Sequence, residues 1–94
     1  MMKEELINSV RSKTGVSYRQ AKLLINAVFE SISDSLEQGE PVTISGFGIF
    51  EVKERSARHG RNSQTGEFVT IEAKQVPNFK ASEVLKKRIA DSGL

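Results

Sequence analysis

From Leu6 to Leu36 apolar side chains recur at helical spacing, and the recurrence breaks once, at Thr14-Gly15. The first stretch predicts a helix over Lys3–Lys13, with Leu6, Ile7 and Val10 on one stripe. Glu4 and Glu5 open it and Arg11 and Lys13 close it, so both charge biases complement the helix dipole. Gly15 supplies the stop. Ser17-Tyr18-Arg19-Gln20 reads as a capping box, in which the serine hydroxyl and the glutamine amide each satisfy an end-of-helix N–H. A second helix is predicted from Tyr18 to about Gln38, with Ala21, Leu24, Ile25, Val28, Phe29, Ile32 and Leu36 inward. That stripe is broad, as in a central helix, and Gly39 ends it with a left-handed cap.

After Gly39 the period shortens to two. Pro41–Ser45 alternates like a short strand, and Gly46-Phe47-Gly48 reads as a turn with close backbone packing. Ile49, Phe50 and Val52 begin a second strand, and Phe68–Lys74 reads as its returning partner. The two form a long hairpin with its tip at Asn62–Gly66. Val76-Pro77-Asn78 reads as a break in the strand pattern. Ser82 caps a last helix reaching about Ala90, with Val84, Leu85 and Ile89 inward and Lys86, Lys87 and Arg88 on the rim. The expected fold is α+β in the order α-α-β-β-β-α, as one domain over 1–94. A helical base occupies about 1–40, a sheet and β-arm about 41–76, and the C-terminal helix about 82–90.

The arm itself departs from both periods. From Glu54 to Gln64 the only apolar side chain is Ala57, while Arg55, Arg58 and Arg61 recur every third residue. Such a segment has nothing to bury and is expected to project from the body. Charge sharpens this picture. Residues 53–61 carry four bases and one acid, and residues 74–94 carry five bases and two acids, on a chain whose net charge is +2. Two positive zones on an otherwise nearly neutral body point to a polyanionic partner. A chain this short buries only about 60–65% of its unfolded surface, and here the arm adds nothing to the core. A second subunit is expected to complete the core.

Little catalytic chemistry is available. There is no cysteine, and His59 is the one histidine, so neither a metal cluster nor a nucleophilic triad can be assembled around it. The Gly46-Phe47-Gly48 stretch lacks the lysine and hydroxyl residue of a phosphate loop and does not precede a helix. No enzyme activity, cofactor or metal is expected. No segment has the roughly 18 apolar residues of a membrane span. The charged start, Met1-Met2-Lys3-Glu4-Glu5, is unlike a signal peptide, which fits a cytoplasmic protein with no membrane partner.

Gly46-Phe47-Gly48-Ile49-Phe50-Glu51-Val52, followed by Glu54-Arg55-Ser56-Ala57-Arg58-His59-Gly60-Arg61-Asn62-Ser63-Gln64-Thr65-Gly66-Glu67, resembles the signature of the bacterial HU/IHF family. Met2-Lys3-Glu4-Glu5-Leu6-Ile7-Asn8 and Val76-Pro77-Asn78-Phe79-Lys80 are similar too, so the resemblance covers nearly the whole chain. It implies an intertwined dimer in which a helical base supports a saddle-shaped sheet and two β-arms wrap the DNA minor groove. HU and IHF are standing examples of that architectural mode. Carried over residue by residue, the resemblance assigns Arg55, Arg58 and Arg61 to backbone and groove contacts. Asn62, Ser63, Gln64 and Thr65 fall at the arm tip, Lys53 and Lys74 on the flanking strands, and Lys3, Lys80 and Lys86 on outer flanks that receive bent DNA. Phe29, Phe47, Phe50 and Phe79 fall in the dimer core. The implied partner is double-stranded DNA of the nucleoid, with a preference for bent, nicked or A/T-rich duplexes. The implied assembly is a homodimer, or a heterodimer with a related chain.

One position departs from the pattern. Family members commonly carry a proline where this chain has Ser63. That proline acts as an apolar wedge between base pairs, a role serine is poorly suited to because its hydroxyl would lose hydration in the stack. Weaker kinking is therefore expected. Two other readings compete. The helices flanking Thr14-Gly15-Val16-Ser17 have the layout of a helix-turn-helix reader, with Arg19 and Lys22 as its bases. Ser63, the modest net charge and the arm neighbours Glu54 and Glu67 also fit a dimeric assembly module with weak or lost DNA binding.

Overall fold

The computed structural model describes every residue except Ala57, Asn62–Gln64 and Glu72; for Arg58, His59, Arg61 and 68–71 it describes the backbone alone. The chain forms two compact units, Met1–Ser35 and Leu36–Leu94. Helix α1 spans Lys3–Thr14 and α2 spans Tyr18–Glu37. The sequence-predicted ends hold to within a residue because the caps are made as expected. Gly15 takes φ +78° and its N–H bonds the Arg11 carbonyl at 2.8 Å. The Gln20 N–H donates to Ser17 Oγ at 3.1 Å, and the Ser17 N–H donates back to Gln20 Oε1 at 3.1 Å. Ile7, Ala21 and Ile25 are buried where α1 packs on α2, with Leu6, Val10, Val16 and Tyr18 around them. The Tyr18 hydroxyl donates to the Glu4 carboxylate, which ties the start of α2 to the start of α1. That bond raises the phenol's pKa above its ordinary value, with Arg11 opposing.

In the second unit, β1 (Val42–Ile44), β2 (Gly48–Arg55) and β5 (Lys74–Ala81) form an antiparallel sheet in the order β1-β2-β5. The turn between β1 and β2 closes through the Phe47 N–H and the Ile44 carbonyl, with Gly46 at φ +78°. Gly48 faces a different demand. A Cβ there would lie 2.5 Å from the Lys80 carbonyl oxygen and 2.6 Å from the Phe79 ring. Without one, the Phe79 ring lies against the β2 backbone, 4.8 Å from the Phe50 centroid and 5.3 Å from that of Phe47. Helix α3 (Glu83–Ala90) follows β5 directly, and Ser82 Oγ accepts the Leu85 N–H at 3.1 Å.

The strand pattern does not break at Val76-Pro77-Asn78, contrary to the reading of the sequence. β5 runs through all three, with Pro77 opposite Val52. β5 is an edge strand of this sheet. An edge strand can point the nitrogen of a proline away from the ladder, so no ladder bond is lost. Beyond the sheet, β3 (Arg58–Arg61) and β4 (Phe68–Ile71) pair as a separate two-stranded antiparallel ribbon. Each predicted hairpin strand is thus realised in two segments. Arg55 faces Lys74, and three residues further along each strand Arg58 faces Ile71. Neither strand has gained or lost a residue between the two segments, so the ribbon continues the register of the sheet.

Candidate nucleic-acid interface

Antiparallel pairing sorts the sheet into two chemically distinct faces, because side chains alternate along a strand and directly paired residues share a face. One face holds Val42, Ile44, Phe50, Val52, Pro77 and Phe79, around Gly48. The other holds Lys53 and Arg55 of β2 with Lys74 and Lys80 of β5, alongside Thr43, Ile49, Glu51, Val76 and Asn78. All four cations are exposed. The single acid among them, Glu51, accepts a hydrogen bond from Asn78 Nδ2 at 3.3 Å. Glu54 belongs to the opposite face, paired with Gln75.

The cross-strand pair Arg55–Lys74 is informative. Like charges directly opposite one another destabilise a sheet. This pair stands at the last rung of β2–β5, on the side that leads into the β3–β4 ribbon. Nothing in the stability of the sheet calls for two cations there, whereas a polyanion lying across the face would favour both.

The other expected site residues are distributed as follows. Arg58 and Arg61 lie on the backbone of β3, paired with Ile71 and Phe68; their side chains lie outside the described residues. Asn62, Ser63 and Gln64 also lie outside them. Thr65 is described, and its hydroxyl accepts the Glu67 N–H at 3.3 Å in the turn before β4. Lys86 pairs with Glu83 on α3 at 3.4 Å, on the exterior of that helix. Lys3 is the exposed first residue of α1, in the helical unit. Phe47, Phe50 and Phe79 form one aromatic cluster in the second unit. Phe29 belongs to α2, in an apolar groove lined also by Leu6, Val10, Leu24, Ile25 and Val28. The sequence reading placed Lys80 on an outer flank; the register puts it on the same face as Lys53, Arg55 and Lys74. Counting by twos along an unbroken strand through Pro77 would have found it.

An α+β chain whose cationic sheet face is prolonged by a two-stranded ribbon defines the class of β-arm proteins. The bacterial DNA-binding protein family matches residues 1–90, and the chain belongs to that family. The chain is 48% identical over 89 residues to DNA-binding protein HU of Geobacillus stearothermophilus, covering 95% of this chain and 99% of the relative. Among solved structures it resembles HU in an HU–DNA cocrystal from Anabaena, at 40% identity and a TM-score of 0.89, covering 96% of this chain and 98% of that one. It also resembles HU from Thermotoga maritima, at 32% identity and a TM-score of 0.69, covering 95% and 98%.

Proposed function

We propose that this protein is an architectural, largely sequence-nonspecific binder of double-stranded DNA that works as a dimer in the bacterial nucleoid. The observation that carries the reading is the collection of Lys53, Arg55, Lys74 and Lys80 on one exposed sheet face, continued in register by the ribbon that bears Arg58 and Arg61. The Anabaena relative, solved together with DNA, supports it. Duplex DNA lies along the basic face, and the two arms, with Asn62, Ser63, Gln64 and Thr65 at their tips, enter the minor groove. Because that groove offers a degenerate code, the arms sense width and deformability more than base identity. Bent, nicked and A/T-rich duplexes are therefore preferred. Lys3 and Lys86 receive the flanks of bent DNA. The dimer joins two copies of this chain, or this chain and a related one.

A salt titration on straight, nicked and kinked duplexes tests this reading. With roughly 6–10 phosphate contacts per dimer, log affinity falls against log salt with a slope of about −5 to −9. Removing Arg55 and Lys74 together should flatten that slope by about 4 per dimer, since each lost contact is worth about 0.9. No salt-dependent duplex binding at low ionic strength would leave a DNA-free assembly module as the better account.

The finer proposal concerns Ser63. A serine wedge unstacks bases less readily than a proline, so this protein kinks DNA less sharply than proline-bearing relatives. Energy transfer across a short end-labelled duplex measures the bend. The natural chain should show the smaller bend and Ser63→Pro the larger one; equal, large bends would refute the idea.

A further inference from the structure

On the basic face of the β2–β5 sheet, one rung carries an acid where its neighbours carry cations. Glu51 stands opposite Asn78, between the Ile49–Lys80 rung on one side and the Lys53–Val76 and Arg55–Lys74 rungs on the other. Lys80 is its diagonal neighbour and Lys53 lies two residues along its own strand, each about 7 Å away by strand geometry. An acid so placed has two lysines within reach of a side chain. Among the described residues it forms an ion pair with neither. It accepts instead from Asn78 Nδ2 at 3.3 Å, in a half-buried pair. An amide is neutral, so this bond holds the carboxylate on the sheet without offsetting its charge. Both lysines stay exposed beside it. Glu54, the other acid of β2, is paired with Gln75 on the opposite face.

We infer that Glu51 is a repulsive determinant of DNA binding: a carboxylate held on the polyanion face, where it opposes phosphate and keeps duplex affinity below what the four cations alone would give. The inference rests on the proposed function, because a polyanion must lie across this face for the charge to matter. Recognition is built from repulsive elements as well as attractive ones. Here the cations divide into Lys80 at one end of the face and Lys53, Arg55 and Lys74 at the other, and a phosphate is disfavoured over the rung between them. The effect belongs to the face and not to the net charge, so Glu54, on the other side of the same strand, does not share it.

The test is equilibrium binding of the full chain to a fluorescent straight duplex, read by anisotropy over a range of salt concentrations. Glu51→Gln keeps an acceptor for Asn78 and removes the charge. It should leave the melting temperature unchanged and tighten binding about 2- to 30-fold per dimer at low salt, from two surface charge interactions of ordinary size. Rising salt should erode that gain, because the screening length falls from about 10 Å at 0.1 M to about 3 Å at 1 M. Glu51→Lys should tighten binding further and steepen the log–log salt slope by about 1.8 per dimer, one added phosphate contact on each copy. Glu54→Gln removes the same charge from the opposite face and should gain clearly less than Glu51→Gln. Equal gains in those two variants would reduce the effect to net charge and overturn this inference alone. So would the absence of a gain in Glu51→Gln, or a gain that salt leaves untouched. No salt-dependent binding by the natural chain or any variant would count against the proposed function itself.

Discussion

At the scale of single residues, Gly48 is the most constrained position in the sheet. Most glycines of this chain answer a backbone demand, as Gly15 does with its positive φ. Gly48 answers a steric one, since a Cβ would meet a backbone carbonyl at 2.5 Å and an aromatic ring at 2.6 Å. The ring of Phe79 can turn aside; the Lys80 carbonyl, fixed in the β2–β5 ladder, cannot. Gly48→Ala should therefore separate β5 from β2 locally and cost about 1–3 kcal/mol, the usual range for overpacking. Urea unfolding followed by circular dichroism measures it, and a midpoint unchanged from the natural chain would contradict the close approach. The consequence reaches the candidate site, because the same two strands hold Lys53, Arg55, Lys74 and Lys80 in one plane.

At the scale of elements, the caps were the most legible features. Ser17 with Gln20, Gly15, and Ser82 are local devices whose hydrogen bonds depend only on neighbours a few residues away. The sheet was less legible. Pro77 reads as a strand breaker because a proline removes a donor, and whether that donor was needed depends on which strand lies beside it. That is a tertiary fact: β5 has β2 on one side and stands at the edge of the sheet. The misreading hid a shared face, since Lys80 joins Lys53, Arg55 and Lys74 only if β5 is continuous from Lys74 to Ala81. The β3–β4 pairing was legible as a hairpin from the strand pattern on either side of the arginine segment. The hairpin's division into a sheet portion and a separate β3–β4 ribbon has no signature in composition or periodicity.

At the scale of the whole molecule, each unit leaves apolar surface in water. On α2, Leu24, Val28 and Phe29 are 53%, 54% and 48% exposed, although their spacing marks them as core positions. In the second unit Phe47 and Phe79 remain 44% and 41% exposed within their aromatic cluster. Among the described residues the buried apolar side chains are few, namely Ile7, Ala21 and Ile25. A core so thin would leave a lone chain marginal, because burial at about 25 cal/mol per Å² must offset the entropy of ordering it. A second copy that covers these faces would supply the missing burial, so association and folding should be coupled. Sedimentation equilibrium at micromolar concentration should then give twice the 10.4 kDa chain mass. Coupling makes a stricter demand: the urea midpoint must rise with protein concentration, each tenfold increase adding about 1.4 kcal/mol of apparent stability per dimer. Phe29→Ala should lower the midpoint and shift dimer formation to higher protein concentration, because it removes an aromatic ring from the face to be covered. A monomer that unfolds at a concentration-independent midpoint would show that the exposed face of α2 needs no second chain, and the two-armed grip on DNA would lose its basis.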